Sequence, residues 1–262
     1  MPALKPALPL AGRGILITRP ADQGAVLARL VEREGGRAIV FPAIEILEVE
    51  DRGPLEALID RLETFDLAIF ISPNAAVRGL SAIRARRTLP LQLTIAAIGR
   101  GSARELKRQG IASVLAPAAG ADSEALLGIP ELQALNGKRV VIFRGVGGRE
   151  LLRDELLARG ASVDYAECYR RRRPNAEIAP LLEASRRGTI DAVVATSREG
   201  LRNFYDMLGE LGHSALKATP LLVPHPRIAS SASELGFTNV TVTGPGDEGI
   251  LQGLAQHFAH RG

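Results

Sequence analysis

Polar residues of a particular kind recur just after short apolar runs in this chain. They are Arg19, Ser72-Pro73-Asn74, Gly99-Arg100-Gly101-Ser102, Arg144-Gly145, Thr196-Ser197 and His225-Pro226-Arg227. Arginine offers a forked set of donors to a carboxylate, and small or hydroxyl residues let backbone N–H groups approach an anion. Taken singly, Ser or Asn at such a place caps the following helix and Arg faces solvent. Six such positions in equivalent settings point instead to a shared face for an anionic ligand. Tyr169 is a candidate of another sort, a phenol able to donate a proton or a hydrogen bond.

Composition narrows the chemistry further. The 262 residues are 46% hydrophobic and 24% charged, the balance of a soluble globular protein. The net charge of +4 suits an anionic ligand but is too small and dispersed to indicate DNA binding. With 4% aromatics and no Trp there is little to stack on single-stranded nucleic acid. One cysteine, Cys168, allows no intrachain disulfide and fits a reducing cytoplasm. His213, His225, His257, His260 and Cys168 form no metal-ligand spacing. GRGSAR (99–104) starts like a dinucleotide fingerprint, but Arg104 stands at the third glycine position and no acidic residue closes a following strand. Neither a P-loop nor a Gly-x-Ser-x-Gly elbow is present. No apolar run approaches the ~20 residues of a membrane span. The opening MPALKPALPLAGR reads as a loose tail without the architecture of a secretory signal. The expectation is a cytoplasmic protein using no cofactor and no metal, with neither nucleic acid nor membrane as partner.

Positioning these residues falls to alternating strands and helices. Strands are expected at 15–18, 37–41, 67–71, 93–98 and 113–116, then at 139–143, 162–166, 192–196, 220–223 and 239–243. They are near-continuous runs of Val, Ile, Leu and Ala, which marks parallel sheets covered by helices on both faces. Helices are expected at 22–34, 74–87 and 101–109. In the first, Asp22 can cap, Val26, Leu27, Leu30 and Val31 form one stripe, and Gly35-Gly36 ends it. Two doubly wound α/β domains of ordinary size follow. In such sheets ligands bind beyond the carboxyl ends of the strands, where the polar residues lie.

The chain also repeats itself. Arg19 and Arg144, Leu27 and Leu152, Gly35 and Gly160, Asp66 and Asp191, and Ser72 and Ser197 are each 125 residues apart. FPAIEILEVE (41–50) and YAECYRRRRP (165–174) occupy equivalent places in the two halves. The first carries Glu45, Glu48 and Glu50 and the second Arg170 to Arg173, opposite charges that suit two extended segments side by side. Tyr169 falls on Ile44 at this offset, so the phenol belongs to one half only. It either packs between domains or points into a cleft as a donor.

In order and spacing, these pieces resemble the uroporphyrinogen-III synthases. The resemblance runs over about residues 13 to 258 through LITRP (16–20), FISPNAAV (70–77), IGRGSARELKRQG (98–110), ADSEALL (121–127), RVVIFRGVGGRELL (139–152), Tyr169-Arg170-Arg171 and VPHPRIA (223–229). It implies two flavodoxin-like α/β domains joined by a two-stranded ladder, one from 1–42 plus 172–262 and the other 46–168, with linkers at about 41–50 and 165–174. It implies a monomeric, cofactor-free lyase acting on hydroxymethylbilane, a linear tetrapyrrole with eight carboxylates, in an inter-domain cleft. On that resemblance Tyr169 becomes the donor to the departing hydroxyl. Ser102 takes a place where Thr also occurs, and Ser72, Asn74, Thr196 and Ser197 become strand-end donors. Arg19, Arg144 and Arg227 are expected to meet carboxylates, although Arg227-Ile228 replaces a Thr pair found in some members. The competing expectation is a two-domain module that binds an anionic small molecule without chemistry.

Overall fold

A computed structural model describes residues 8–120 and 122–259, and strands and helices alternate through them. The first stretch contains β1 (Gly14–Ile17), α1 (Ala21–Arg33), β2 (Arg37–Val40), β3 (Glu45–Leu47), α2 (Gly53–Asp60), β4 (Leu67–Phe70) and α3 (Pro73–Arg86). Next come β5 (Thr94–Ala97), α4 (Arg100–Arg108), α5 (Ser123–Leu127), β6 (Arg139–Gly145), α6 (Leu151–Ala158) and β7 (Ser162–Arg172). The last are α7 (Ala179–Arg186), β8 (Ala192–Val194), α8 (Arg198–Leu216), β9 (Leu221–Val223), α9 (Pro226–Glu234), β10 (Val240–Val242) and α10 (Gly246–Ala259). This is an α/β fold with two sheets dominated by parallel pairing, of orders β10-β9-β8-β1-β2 and β3-β7-β6-β4-β5.

The chain divides into two compact units, one of Met1–Glu45 with Arg172–Gly262 and the other of Ile46–Arg171. In the first, Ile15 and Ile17 of β1 pack with Leu27 and Val31 of α1 and Leu254 of α10. Leu16 of the same strand turns to the other face, against Phe204 of α8 and Ile228 of α9. The second unit is built alike. Ala68 and Phe70 face α3 and α4, while Leu67 and Ile69 face α5 and α6. Each such Leu, Ile or Phe removed from water contributes about 1.5–3 kcal/mol, which explains the absence of polar alternation in these strands.

The two halves of the sequence contribute to both sheets. Asp191 accepts from the Gly14 N–H (2.7 Å) and pairs with Arg13, whereas Asp66 accepts from the Arg139 N–H (2.8 Å) and pairs with Lys138. Each pair of contacts is the other displaced by 125 residues, with the halves exchanged. Gly35 and Gly160 both take positive φ, at 83° and 81°, where a side chain would be strained.

Several local expectations change. Pro20, not Asp22, is the N-cap of α1, and it makes no side-chain cap. Asp22 lies in the first turn, where its charge favours the helix dipole. The buried stripe of α1 is Gly24, Leu27, Ala28 and Val31, with Val26 42% exposed. The helix rolls toward Gly24 because a missing Cβ there lets it approach Val40, whose Cγ1 would stand 3.0 Å from that Cβ. Residues 113–116 give one bridge, Ala96 to Leu115, rather than a strand. β7 runs on to Arg172 because β3 lies beside it as a further hydrogen-bonded neighbour. Of the expected loose tail, residues 1–7 lie outside the described residues, as do the ends of the domain drawn from 1 and to 262, and His260. Residues 8–13 are not loose: Leu10 is fully buried and its N–H bonds Glu34 O at 3.0 Å. Among the described residues no helix is long and apolar enough to cross a membrane.

Candidate functional site

The parallel strands of each unit end at one edge of its sheet, and the predicted residues divide between these two edges. Tyr169, Ser72, Asn74, Ser102 and Arg144 belong to the sheet of β7, β6, β4 and β5. Arg19, Thr196, Ser197 and Arg227 belong to that of β1, β8 and β9.

On the first edge, Ser72 leaves β4 in an extended conformation and caps α3, accepting from the Ala75 N–H at 2.9 Å. Pro73 supplies the fixed φ favoured at the first helical position. The Ser72 Oγ also meets the Tyr169 Oη at 3.0 Å. Tyr169 is 4% exposed, its ring in the core that also holds Phe70 and Phe143. Asn74 is half-buried in the first turn of α3. Ser102 is 2% exposed at the third position of α4, whose N-cap is Gly99. The N-termini of α3 and α4 thus follow directly on β4 and β5, and free helix N–H groups with a positive dipole end favour anions.

Arg144 is the last residue but one of β6 and does not face solvent: it is 2% exposed. Its Nε bonds Gly145 O at 3.3 Å, one terminal nitrogen bonds Glu150 at 3.2 Å, and the other bonds Gly147 O. Its guanidinium lies 4.2 Å over the Tyr165 ring, and the Tyr165 hydroxyl donates to Glu150 at 2.7 Å. Burial, and then the bond to Glu150, push the Tyr165 phenol up to about 12. The Tyr165 hydroxyl first, then Arg144, hold Glu150 below the usual glutamate value. Cys168 is pushed up to about 12 by burial, which leaves it inert as a nucleophile.

On the second edge, Ser197 caps α8 by accepting from the Gly200 N–H at 3.0 Å, the counterpart of Ser72. Thr196 is half-buried beside it. The His225 ring caps α9, accepting from the Arg227 N–H at 3.1 Å. Arg227 is exposed and its side chain makes no ion pair among the described residues. Arg19 is paired, to Asp247 at the start of α10 and to Gln23 at 3.0 Å.

Sequence reasoning missed Asp247 and Glu150, the carboxylates that engage Arg19 and Arg144. Asp247 lies 228 residues from Arg19, so no local pattern announces it. It also missed Thr18, 2% exposed, whose hydroxyl bonds Val194 O at 3.0 Å and ties β1 to β8. Among the described residues no three His, Cys, Asp or Glu side chains group to hold a metal ion.

Comparison with known proteins supplies the remaining information. The family model for uroporphyrinogen-III synthase HemD matches residues 25–252. The uroporphyrinogen-III synthase of Salmonella typhimurium is 36% identical over 245 residues, covering 90% of this chain and 97% of that protein. That of Escherichia coli is 34% identical over 239 residues, with the same coverage. The fold is shared with a mutant uroporphyrinogen III synthase from Thermus thermophilus, at a TM-score of 0.61 and 20% identity over 95% of this chain and all of that one. It is also shared with uroporphyrinogen-III synthetase from Helicobacter pylori, at 0.55 and 16% over 95% and 99%. With the family model spanning both sheets and relatives above one-third identity aligned nearly end to end, the chain belongs to the uroporphyrinogen-III synthase family.

Proposed function

We propose that this protein closes hydroxymethylbilane with loss of water and inversion of the last pyrrole, giving uroporphyrinogen III. The terminal hydroxyl leaves as water with a proton from Tyr169, and the far pyrrole attacks the resulting azafulvene through its substituted carbon. Rearrangement of the spiro intermediate and loss of a ring proton return that proton to the phenol, so the net change is one water. The observation that carries the assignment of the donor is the Tyr169 hydroxyl held 3.0 Å from the Ser72 Oγ, where α3 begins. Eight substrate carboxylates suit the helix N-termini of α3, α4, α8 and α9 and the exposed Arg227. Binding energy from these remote groups can hold a flexible chain in the one conformation that brings the substituted carbon within reach.

The same reading takes each unit as doubly wound and the chain as duplicated. Counted from β1 and from β6, four of the five strands in each sheet run 2-1-3-4, with β10 and β3 as the fifth, and the exchanged Asp66 and Asp191 contacts support a common origin. Segments 41–50 and 165–174 are read as the two linkers. Support comes from β3 beside β7 and from the Arg172–Glu45 (2.8 Å) and Arg170–Glu50 (3.4 Å) pairs. The reaction is placed in the cytoplasm, where a lone buried thiol such as Cys168 is at home.

The competing reading, an anion-binding module without chemistry, is favoured by one observation, the burial of the Tyr169 ring. Incubating the purified protein with hydroxymethylbilane decides between them. Type III product is expected, and the spontaneous type I isomer alone would overturn the proposal.

A further inference from the structure

Arg144 occupies a strand end where an arginine that receives a substrate carboxylate is expected, yet its guanidinium turns inward. Burying a guanidinium is costly unless its donors are met, and here they are met by Gly145 O, Gly147 O and Glu150. Turning to a ligand would give up all three bonds, including those to the Gly145 and Gly147 carbonyls. All three lie in one loop, residues 145–150, so the visible consequence of Arg144 is the shape of that loop.

The loop is fastened to β7 at the level of the proposed donor. Val146 N–H bonds Tyr169 O at 2.8 Å and Gly147 N–H bonds Glu167 at 3.2 Å. The register slips here: Arg144 stands opposite Glu167, but Gly145 stands opposite Tyr169, passing over Cys168. A Cβ on Gly145 would lie 2.7 Å from Cε2 and Cζ of Tyr169 and 3.1 Å from its Oη. The phenol therefore rests on the bare backbone of Gly145. At the 125-residue offset Gly145 falls on Pro20 and Tyr169 on Ile44, so the half with the phenol is also the half with the glycine.

We infer that Arg144 is a positioning residue: it fixes the 145–150 loop so that the Gly145 backbone sets the place of the Tyr169 hydroxyl beside Ser72. The inference rests on Tyr169 being the donor of the proposed reaction.

Its test uses Gly145→Ala, Arg144→Met and Arg144→Lys in the full chain, with Tyr169→Phe as reference. The protein is labelled with 3-fluorotyrosine, which enters at the three tyrosines, and the signal lost in Tyr169→Phe identifies residue 169. In Gly145→Ala and Arg144→Met that signal shifts, turnover falls by about 10-fold, the apparent KM changes by less than about threefold, and type I product appears beside type III. Arg144→Lys does not rescue, because one ammonium cannot span two carbonyls and a carboxylate. In a Tyr169→Phe background, Gly145→Ala adds less than about twofold. Folded variants with an unmoved fluorine signal and wild-type turnover overturn the inference, and so does Arg144→Met with raised KM and unchanged turnover, the mark of a carboxylate receptor. Should Arg144→Met fail to fold, Gly145→Ala and the milder Tyr165→Phe carry the same readouts. Full activity of Tyr169→Phe would instead remove the donor role, while the fluorine shift still reports whether Arg144 and Gly145 place the ring.

Discussion

Tyr169→Phe separates chemistry from packing because the ring stays while one oxygen is lost. Phenylalanine still fits over the Gly145 backbone, and Ser72 keeps its bond from the Ala75 N–H. Loss of the neutral bond to Ser72 costs about 0.5–1.5 kcal/mol, seen as a Tm lower by ~2–6 °C. Turnover should suffer more. A positioned acid contributes about 10²–10⁴-fold, but the pyrrole nitrogen already assists departure of the hydroxyl, which brings the expectation to the bottom of that range or below it. A drop of roughly 10-fold, about 1.4 kcal/mol of barrier, is expected. The assay follows hydroxymethylbilane consumption and resolves the isomers, since slowed closure lets spontaneous type I product accumulate. Ser102→Ala is the comparison and should cost less. Wild-type turnover with pure type III product would leave Tyr169 a packing role and refute the reasoning.

Arg227→Ala should raise the apparent KM with little change in turnover or Tm. Arg19→Ala should also lower Tm, because it strands the Asp247 carboxylate; wild-type binding in both variants would move the anion-binding face elsewhere. Asp66→Ala and Asp191→Ala should destabilise to similar extents, each removing a backbone acceptor and an ion pair, and denaturant midpoints differing severalfold in their shift would argue against equivalent roles. The Arg139 N–H, then Lys138, hold the Asp66 carboxyl below its usual value. Its stabilisation is therefore complete above the unfolded aspartate pKa and disappears as pH falls through the lowered one, so Asp66→Asn should flatten the acid limb of stability against pH. With Cys168 pushed up to about 12, iodoacetamide at pH 8 should alkylate the native thiol far more slowly than the unfolded chain, and equal rates would contradict its burial.

Periodicity and resemblance carried much of this protein's description. Near-continuous apolar runs marked the strands because a strand covered on both faces has no solvent side, and β1, β4 and β6 are indeed almost wholly buried. The order of short motifs from LITRP to VPHPRIA was enough to identify the family. Other features were beyond any local pattern. The stripe of α1 turns toward Gly24, a residue silent in a hydrophobicity pattern, where a Cβ would stand 3.0 Å from Val40. Nothing in a linear repeat says that β1 and β2 will share a sheet with β8, β9 and β10 rather than with β4 and β5, since both pairings bury the same kind of face. Arg19 and Arg144 look alike in sequence. Yet one meets Asp247, 228 residues away, and the other is drawn inward by a loop that folds back on it. A side chain's type fixes which bonds it can make. Which of them it does make depends on where distant backbone brings the partners, and that is settled by the packing of the sheets and helices as a whole.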